Sequence, residues 1–214
     1  MGAQADLFQL LDAIGVVVFA VSGALAASRK ELDLIGFVFF ASITGVGGGT
    51  LRDVVLGQTP VFWITTPLPV ILCTLTAIAV YFIAPFIEYR YRVLLWADAV
   101  GIAGYCVMGA SRGLAAGASP YAAIILGILS ASFGGIIRDI VAGEPSVLLR
   151  KEIYVTATLV GATLFVVASR LGLPYWPSAL AGGMAAFAVR AGALYFGWTF
   201  PTFRSRPGRP QAPV

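Results

Sequence analysis

Two stretches of this chain carry the same improbable combination. Thr44-Gly45-Val46-Gly47-Gly48-Gly49-Thr50-Leu51-Arg52-Asp53 lies inside an apolar run long enough to cross a bilayer. Ser132-Phe133-Gly134-Gly135-Ile136-Ile137-Arg138-Asp139 repeats its pattern 86 positions later, again in mid-membrane sequence. Glycines loosen a helix, and an Arg-Asp pair is costly in hydrocarbon, where freed backbone groups and charges lack water. Two such stretches in register therefore predict a built site, with both helices broken at the glycines.

The surrounding sequence fixes the solvent. The chain is 59% apolar and 11% charged, with a mean hydropathy of +0.91, against about 25% charged residues in soluble domains. Its 214 residues leave no room for a separate soluble domain beside the spans. No histidine is present, which removes His-based metal sites, His general bases and Ser-His-Asp triads. No HExxH-type metal site or nucleophile elbow exists, and Gly45-x-Gly47-x-x-Thr50 lacks the strand context of a dinucleotide fingerprint. An enzyme is not expected, and neither a cofactor nor nucleic acid is a predicted partner. Cys73 and Cys106 each sit within an apolar span and read as small buried side chains.

Apolar windows give an all-α integral membrane protein with seven spans, near 7–28, 34–56, 67–86, 93–112, 120–142, 153–171 and 177–199. Loops one, three and five plus the tail hold nine Lys and Arg residues, and the opposite face holds Arg112 and Arg170. This predicts an outer amino terminus and a cytoplasmic carboxyl terminus. Residues 1–200 read as one transmembrane domain, and 201–214 as a disordered basic cytoplasmic tail. The acid-containing start without Lys or Arg predicts a retained first span rather than a cleaved leader.

The offset of 86 aligns Asp12 with Asp98, Gly15 with Gly101, Gly23 with Gly109, Gly48 with Gly134, Arg52 with Arg138 and Asp53 with Asp139. Repeat one covers about 7–86 and repeat two about 93–171. Three spans per copy is an odd number, so the second copy enters from the other face. An inverted 3+3 repeat with a seventh helix added is a transport architecture.

The charges sort by depth. Asp12 and Arg52 fall on one side and are expected to pair, as are Asp98 and Arg138 on the other; each is also open to a purely structural role. Neighbouring helical positions diverge by about 100°, so Arg52 and Asp53 are expected to be poor partners, leaving Asp53 and Asp139 to line a conduit. Arg190 is expected at the depth of Asp139. The intramembrane balance is three positive against four negative, which leans towards cations. Thr44, Gly48 and Arg52 share one helix face, as do Ser130, Gly134 and Arg138. The alternative for the glycines is close helix packing. Phe62, Trp63, Trp96, Tyr175 and Trp176 read as interfacial anchors.

Gly-Gly-Gly-Thr-Leu-Arg-Asp at 47–53 with Gly57-Gln58-Thr59-Pro60-Val61-Phe62-Trp63, and Gly134-Gly135-Ile136-Ile137-Arg138-Asp139 with Gly143-Glu144-Pro145, resemble the prokaryotic branch of the trimeric intracellular cation (TRIC) channel family. The likeness extends over about residues 8–199. It implies seven helices, a homotrimer and a pore through each subunit, lined by kinked second and fifth spans and passing monovalent cations, K⁺ above all, with Na⁺ the second candidate. Membrane lipids are the other expected partners, and a bacterial or archaeal cell membrane the expected location. The residues it carries over are Gly47, Gly48, Gly49, Arg52, Asp53, Gly134, Gly135, Arg138 and Asp139; Thr44 and Ser130, from the polar helix faces, complete the expected pathway, with Asp12, Asp98 and Arg190 as supporting charges. The Lys-Glu-Val signature of animal relatives occurs in no span. A second reading is a secondary transporter of glycine or another small zwitterion, which related bacterial chains suggest and a half-helix N-terminus would suit.

Overall fold

The computed structural model describes residues 2–87, 89–146 and 153–199, with side-chain surroundings described for residue 10 and from 12 onward. The expected tail and the basic residues at 150 and 151 lie outside the described residues. Eight α-helices are described: α1 (Gly2–Arg29), α2 (Leu34–Val55), α3 (Phe62–Thr65), α4 (Leu68–Ile83, continued by a 3₁₀ turn, Ala84–Phe86), α5 (Arg90–Ala115), α6 (Pro120–Val141), α7 (Val155–Arg170) and α8 (Tyr175–Phe196). Six of these are long and apolar enough to span a membrane. The sixth expected span is the shorter α7, with 16 residues, and α3 is a single turn.

The repeat is written into the helix ends. Asp33 caps α2 by accepting from the Gly36 amide at 2.8 Å, and its repeat mate Ser119 caps α6 by accepting from the Ala122 amide at 3.3 Å. Both helices end on a glycine at φ +65°, Gly57 and Gly143. The next amide then turns back to an aspartate carbonyl, Gln58 to Asp53 at 2.8 Å and Glu144 to Asp139 at 2.9 Å. One turn differs. Repeat two places Gly117 at φ +80°, whereas repeat one holds Glu31 at φ +54°, a conformation costly for a residue with a Cβ.

Packing follows the same two-fold. Within repeat one α1, α2 and α4 pack on one another, and α5, α6 and α7 do so within repeat two; α1 meets α5 and α2 meets α6 between them, with α8 against α5 and α7. Phe19 and its repeat mate Tyr105 meet edge to face at 5.2 Å. The room for each ring is a missing side chain: a Cβ on Gly15 would lie 2.3 Å from the Tyr105 ring, and one on Gly101 would lie 2.9 Å from Phe19. Cys73 and Cys106 are buried free thiols.

The expectation of broken helices is corrected. α2 and α6 run uninterrupted through Gly47-Gly48-Gly49 and Gly134-Gly135. A glycine costs about 1 kcal/mol in a helix relative to alanine. An opened ladder in lipid leaves several polar groups unpaired, which costs more. The helix therefore persists, and the missing side chains serve contact.

Candidate functional site: two arginine–aspartate clusters on one helix crossing

The α2–α6 crossing is a backbone-to-backbone contact. A Cβ on Gly48 would fall 2.0 Å from the Ser130 carbonyl oxygen, and one on Gly134 would fall 2.3 Å from that of Thr44. These pairs exchange under the offset, so the helices cross antiparallel, with the two-fold between Val46 and Ser132. The same symmetry brings Thr44 Oγ1 against Gly23 and Ser130 Oγ against Gly109, at 2.6 and 2.5 Å from their would-be Cβ atoms. Gly47 has more room, its Cβ reaching the Gly134 Cα at 3.4 Å. Gly49 faces the Phe62 ring and Gly135 faces the Tyr154 hydroxyl. Thr44 Oγ1 donates to the Phe40 carbonyl at 2.7 Å. All eleven of the expected pathway residues are buried.

Arg52 and Arg138 lie six residues beyond the crossing on opposite sides, so about 18 Å of helix separates them. Each forms a fork with its own neighbour. Arg52 Nε and Nη2 donate to Asp53 Oδ1 at 2.9 and 2.8 Å; Arg138 Nε and Nη2 donate to Asp139 Oδ1 at 3.0 and 2.9 Å. The expectation that sequence neighbours make poor partners is corrected twice. Diverging Cα–Cβ directions matter little for a side chain long enough to curl back, and burial rewards the fork. Asp53 and Asp139 are thus held by arginines. Asp53 Oδ2 also accepts from the Phe62 amide at 3.0 Å, so α3 is tied to the end of α2. Trp63 Nε1 donates to Thr50 Oγ1 at 2.9 Å, so its indole serves this contact in place of a free interfacial anchor.

Beyond the forks the ends differ. Arg138 Nη1 donates to Asp98 Oδ1 at 2.8 Å, the pairing expected from depth. Ser22, a residue of repeat one, accepts from Arg138 Nη1 and donates to Asp98 Oδ1 at 2.9 Å. The expected Asp12–Arg52 pair is not formed: among the described residues Arg52 pairs with Asp53, and Asp12 Oδ1 accepts from the Tyr105 hydroxyl at 3.2 Å. Among the described residues Arg52 Nη1, Ser130 Oγ and Ser132 Oγ are buried without a protein hydrogen-bond partner, while the Tyr154 hydroxyl faces the Asp98 carboxylate. Arg190 is buried, donates to the Ile153 carbonyl at 3.3 Å and lies 5.2 Å from the Tyr154 ring centre.

Sequence reasoning missed Ser22, Tyr105, Tyr154 and the Phe62 amide. Ser22 left one trace, a lone hydroxyl before Gly23 whose repeat mate is Met108. Among the described residues no group of His, Cys, Asp and Glu is arranged to hold a metal ion.

The family model described as "Glycine transporter" matches this chain twice, over residues 9–85 and 95–170, one copy per structural repeat. The fold superposes on the structure titled as the TRIC trimeric intracellular cation channel orthologue from Rhodobacter sphaeroides with a TM-score of 0.88, at 49% identity, covering 90% of this chain and 99% of that one. The chain belongs to the prokaryotic TRIC channel family. A second TRIC structure, on conductance through TRIC cation channels, matches with a TM-score of 0.81 at 29% identity, covering 94% of this chain and 99% of that one. A UPF0126 membrane protein of Vibrio cholerae serotype O1 is 38% identical over 207 residues, 92% of this chain and 83% of that one. The UPF0126 inner membrane protein YadS of Escherichia coli K12 is 32% identical over 198 residues, 90% of this chain and 94% of that one. Membership of the TRIC family makes this a membrane protein of a channel family and not an enzyme, and the two copies of the family model coincide with its two antiparallel halves.

Proposed function

We propose that this TRIC-family chain is a K⁺-permeable channel that works as a homotrimer, each subunit passing ions along the α2–α6 crossing. The observation that carries the reading is a pair of buried polar atoms without protein partners among the described residues, Arg52 Nη1 at one end and Ser130 Oγ near the crossing, with the buried Asp98–Tyr154 contact at the other end. Such atoms are expensive in a dry interior and call for water or an ion. Thr44, Gly47, Gly48, Gly49, Gly134 and Gly135 supply bare or hydroxylated wall. Arg52–Asp53 and Arg138–Asp139 flank the narrow centre, and Asp12, Asp98 and Arg190 set the local field. With the glycines in tight contact the passage is shut, so opening requires α2 and α6 to separate. The trimeric state is supported by the Rhodobacter relative, described as trimeric, and K⁺ by a related prokaryotic TRIC structure determined in 0.5 M KCl. The distribution of Lys and Arg favours an outer amino terminus and a cytoplasmic carboxyl terminus, in a bacterial inner membrane such as that of the Escherichia coli relative.

Purified protein in planar bilayers tests this. Discrete current steps whose reversal potential follows the K⁺ gradient, and not the Cl⁻ gradient, are expected. Tight bilayers containing folded trimer would sink the reading. The family model's description favours one rival, a carrier of glycine, for which electrically silent uptake of labelled glycine into the same vesicles is the signature.

A further inference from the structure

The two ends of the pathway share a backbone but receive different hydroxyls. Under the offset of 86, Ser22 matches Met108 and Tyr105 matches Phe19, so neither hydroxyl has a counterpart. Both cross between repeats: Ser22 of α1 reaches the Asp98–Arg138 pair, and Tyr105 of α5 reaches Asp12. Their effects oppose one another. Ser22 closes a ring of three hydrogen bonds with Arg138 Nη1 and Asp98 Oδ1, tying α1, α5 and α6 together. Tyr105 occupies Asp12 Oδ1 while Arg52 Nη1 has no protein acceptor. Ser22 is fully buried, so its contacts do not compete with bulk water, whereas the contact of the buried Tyr105 hydroxyl with Asp12 is half-buried.

We propose that Ser22 and Tyr105 are positioning residues that make the symmetric pathway polar, Ser22 fastening the Arg138 end and Tyr105 keeping the Arg52 end unfastened by holding Asp12 away from Arg52. The protein therefore rests with one end locked and the other one step from locking. Release of α6 from α1 and α5 at the Arg138 end is the step that frees α6 to part from α2, and transfer of Asp12 from Tyr105 to Arg52 is a second, opposite closing step. The proposal rests on the reading of the α2–α6 crossing as the ion pathway.

Two substitutions with opposite expected signs test it. Ser22→Ala removes the relay and should raise open probability about fivefold, the effect of one net hydrogen bond. Tyr105→Phe gives repeat two the ring that repeat one carries at Phe19, releases Asp12 to Arg52, and should lower open probability by a similar factor. Amide hydrogen exchange of the purified protein reads the same events without current: faster exchange over residues 134–146 in the first variant, slower exchange over 48–58 in the second. Should Ser22→Ala fold poorly, Ser22→Cys removes most of the hydrogen bonding at nearly constant volume and should behave like it, while Ser22→Thr keeps the hydroxyl and should stay closer to the parent. Shifts of the same sign in both variants, exchange changes spread over both ends, or a cysteine variant indistinguishable from the parent would overturn the proposal. Exchange shifts of the expected signs in a protein that passes no ions would leave the fastening intact and remove the channel reading.

Discussion

At one end of the α2–α6 pair, Arg138 uses Nε and Nη2 on Asp139 and Nη1 on Asp98 and Ser22. At the other, Arg52 makes the same fork with Asp53 and finds no protein acceptor for Nη1. The motif residues are identical in type and related by one offset, so the forks, the caps and the glycine crossing repeat. What does not repeat comes from outside the motif, from positions 22 and 105 above all, and from Tyr154, whose repeat mate is Leu68. An inverted repeat thus sets where the charges sit in the membrane, while its unmatched positions set how firmly each is held.

The most severe way to break this comparison is to remove the arginines in turn. Arg138→Ala takes the shared guanidinium from both Asp98 and Asp139, and poorly compensated buried charges cost about 3–5 kcal/mol. Arg52→Ala takes the guanidinium from Asp53 alone, so its loss should fall at or below the lower end of that range. Thermal melts of the detergent-solubilised protein, followed by size-exclusion chromatography, should rank Arg138→Ala clearly below Arg52→Ala. Equal melts would mean that the extra contacts at the Arg138 end contribute nothing.

The glycines provide a control in which the ends should agree. Gly48→Ala and Gly134→Ala each push a methyl group into a backbone carbonyl, at 2.0 and 2.3 Å, and overpacking of this kind costs about 1–3 kcal/mol. Gly47→Ala meets its nearest atom at 3.4 Å and should cost less than either. A melt series in which Gly47→Ala is the worst of the three would show that the crossing is misplaced.

How much of this could be read beforehand follows from the same contrast. The spans, the inverted repeat and the Asp98–Arg138 pair were legible, because each depends on hydropathy, parity or depth along a helix. The unbroken course of α2 and α6 was not. Glycine content cannot distinguish an opened helix from a closely packed one, and the choice is made by the facing carbonyls of Thr44 and Ser130. The Arg52–Asp53 fork was missed because helical geometry places Cβ atoms, whereas a guanidinium lies several bonds beyond. Asp12 was assigned to Arg52 by depth alone, and Tyr105, on a helix 93 residues away in sequence, took it instead.

A milder intervention sharpens the same point. If Tyr105 holds Asp12, then Asp12→Asn should cost little stability, about 1 kcal/mol or less for one weakened hydrogen bond. Combining it with Arg52→Ala should show only weak coupling, since the two attract one another without forming an ion pair. A double-mutant cycle on melting temperature measures this. Coupling well above about 0.5 kcal/mol would mean that Asp12 and Arg52 do interact directly.

The smallest expected effect tests whether the Arg138 end is fastened a second time, outside the helix pair. Glu144 follows the Gly143 turn of α6, and its carboxylate meets Arg29 Nη1 at 3.0 Å and Lys30 Nζ at 3.6 Å, at the end of α1. Arg29 also lies over the Tyr91 ring at 4.5 Å. The repeat mate of Glu144 is Gln58, and those of Arg29 and Lys30 are Ala115 and Ala116, so the Arg52 end has neither half of this contact. The basic partners are about a third exposed, which limits such pairs to about 0–1 kcal/mol and makes them sensitive to salt. Glu144→Gln should therefore lower the melting temperature slightly at low ionic strength and leave it unchanged at high ionic strength. Gln58→Glu should bring no gain at either, because no basic residue stands at the matching positions to receive it. A stabilised Gln58→Glu protein would show that the Arg52 end already carries an equivalent basic partner, and this second fastening would then not distinguish the two ends.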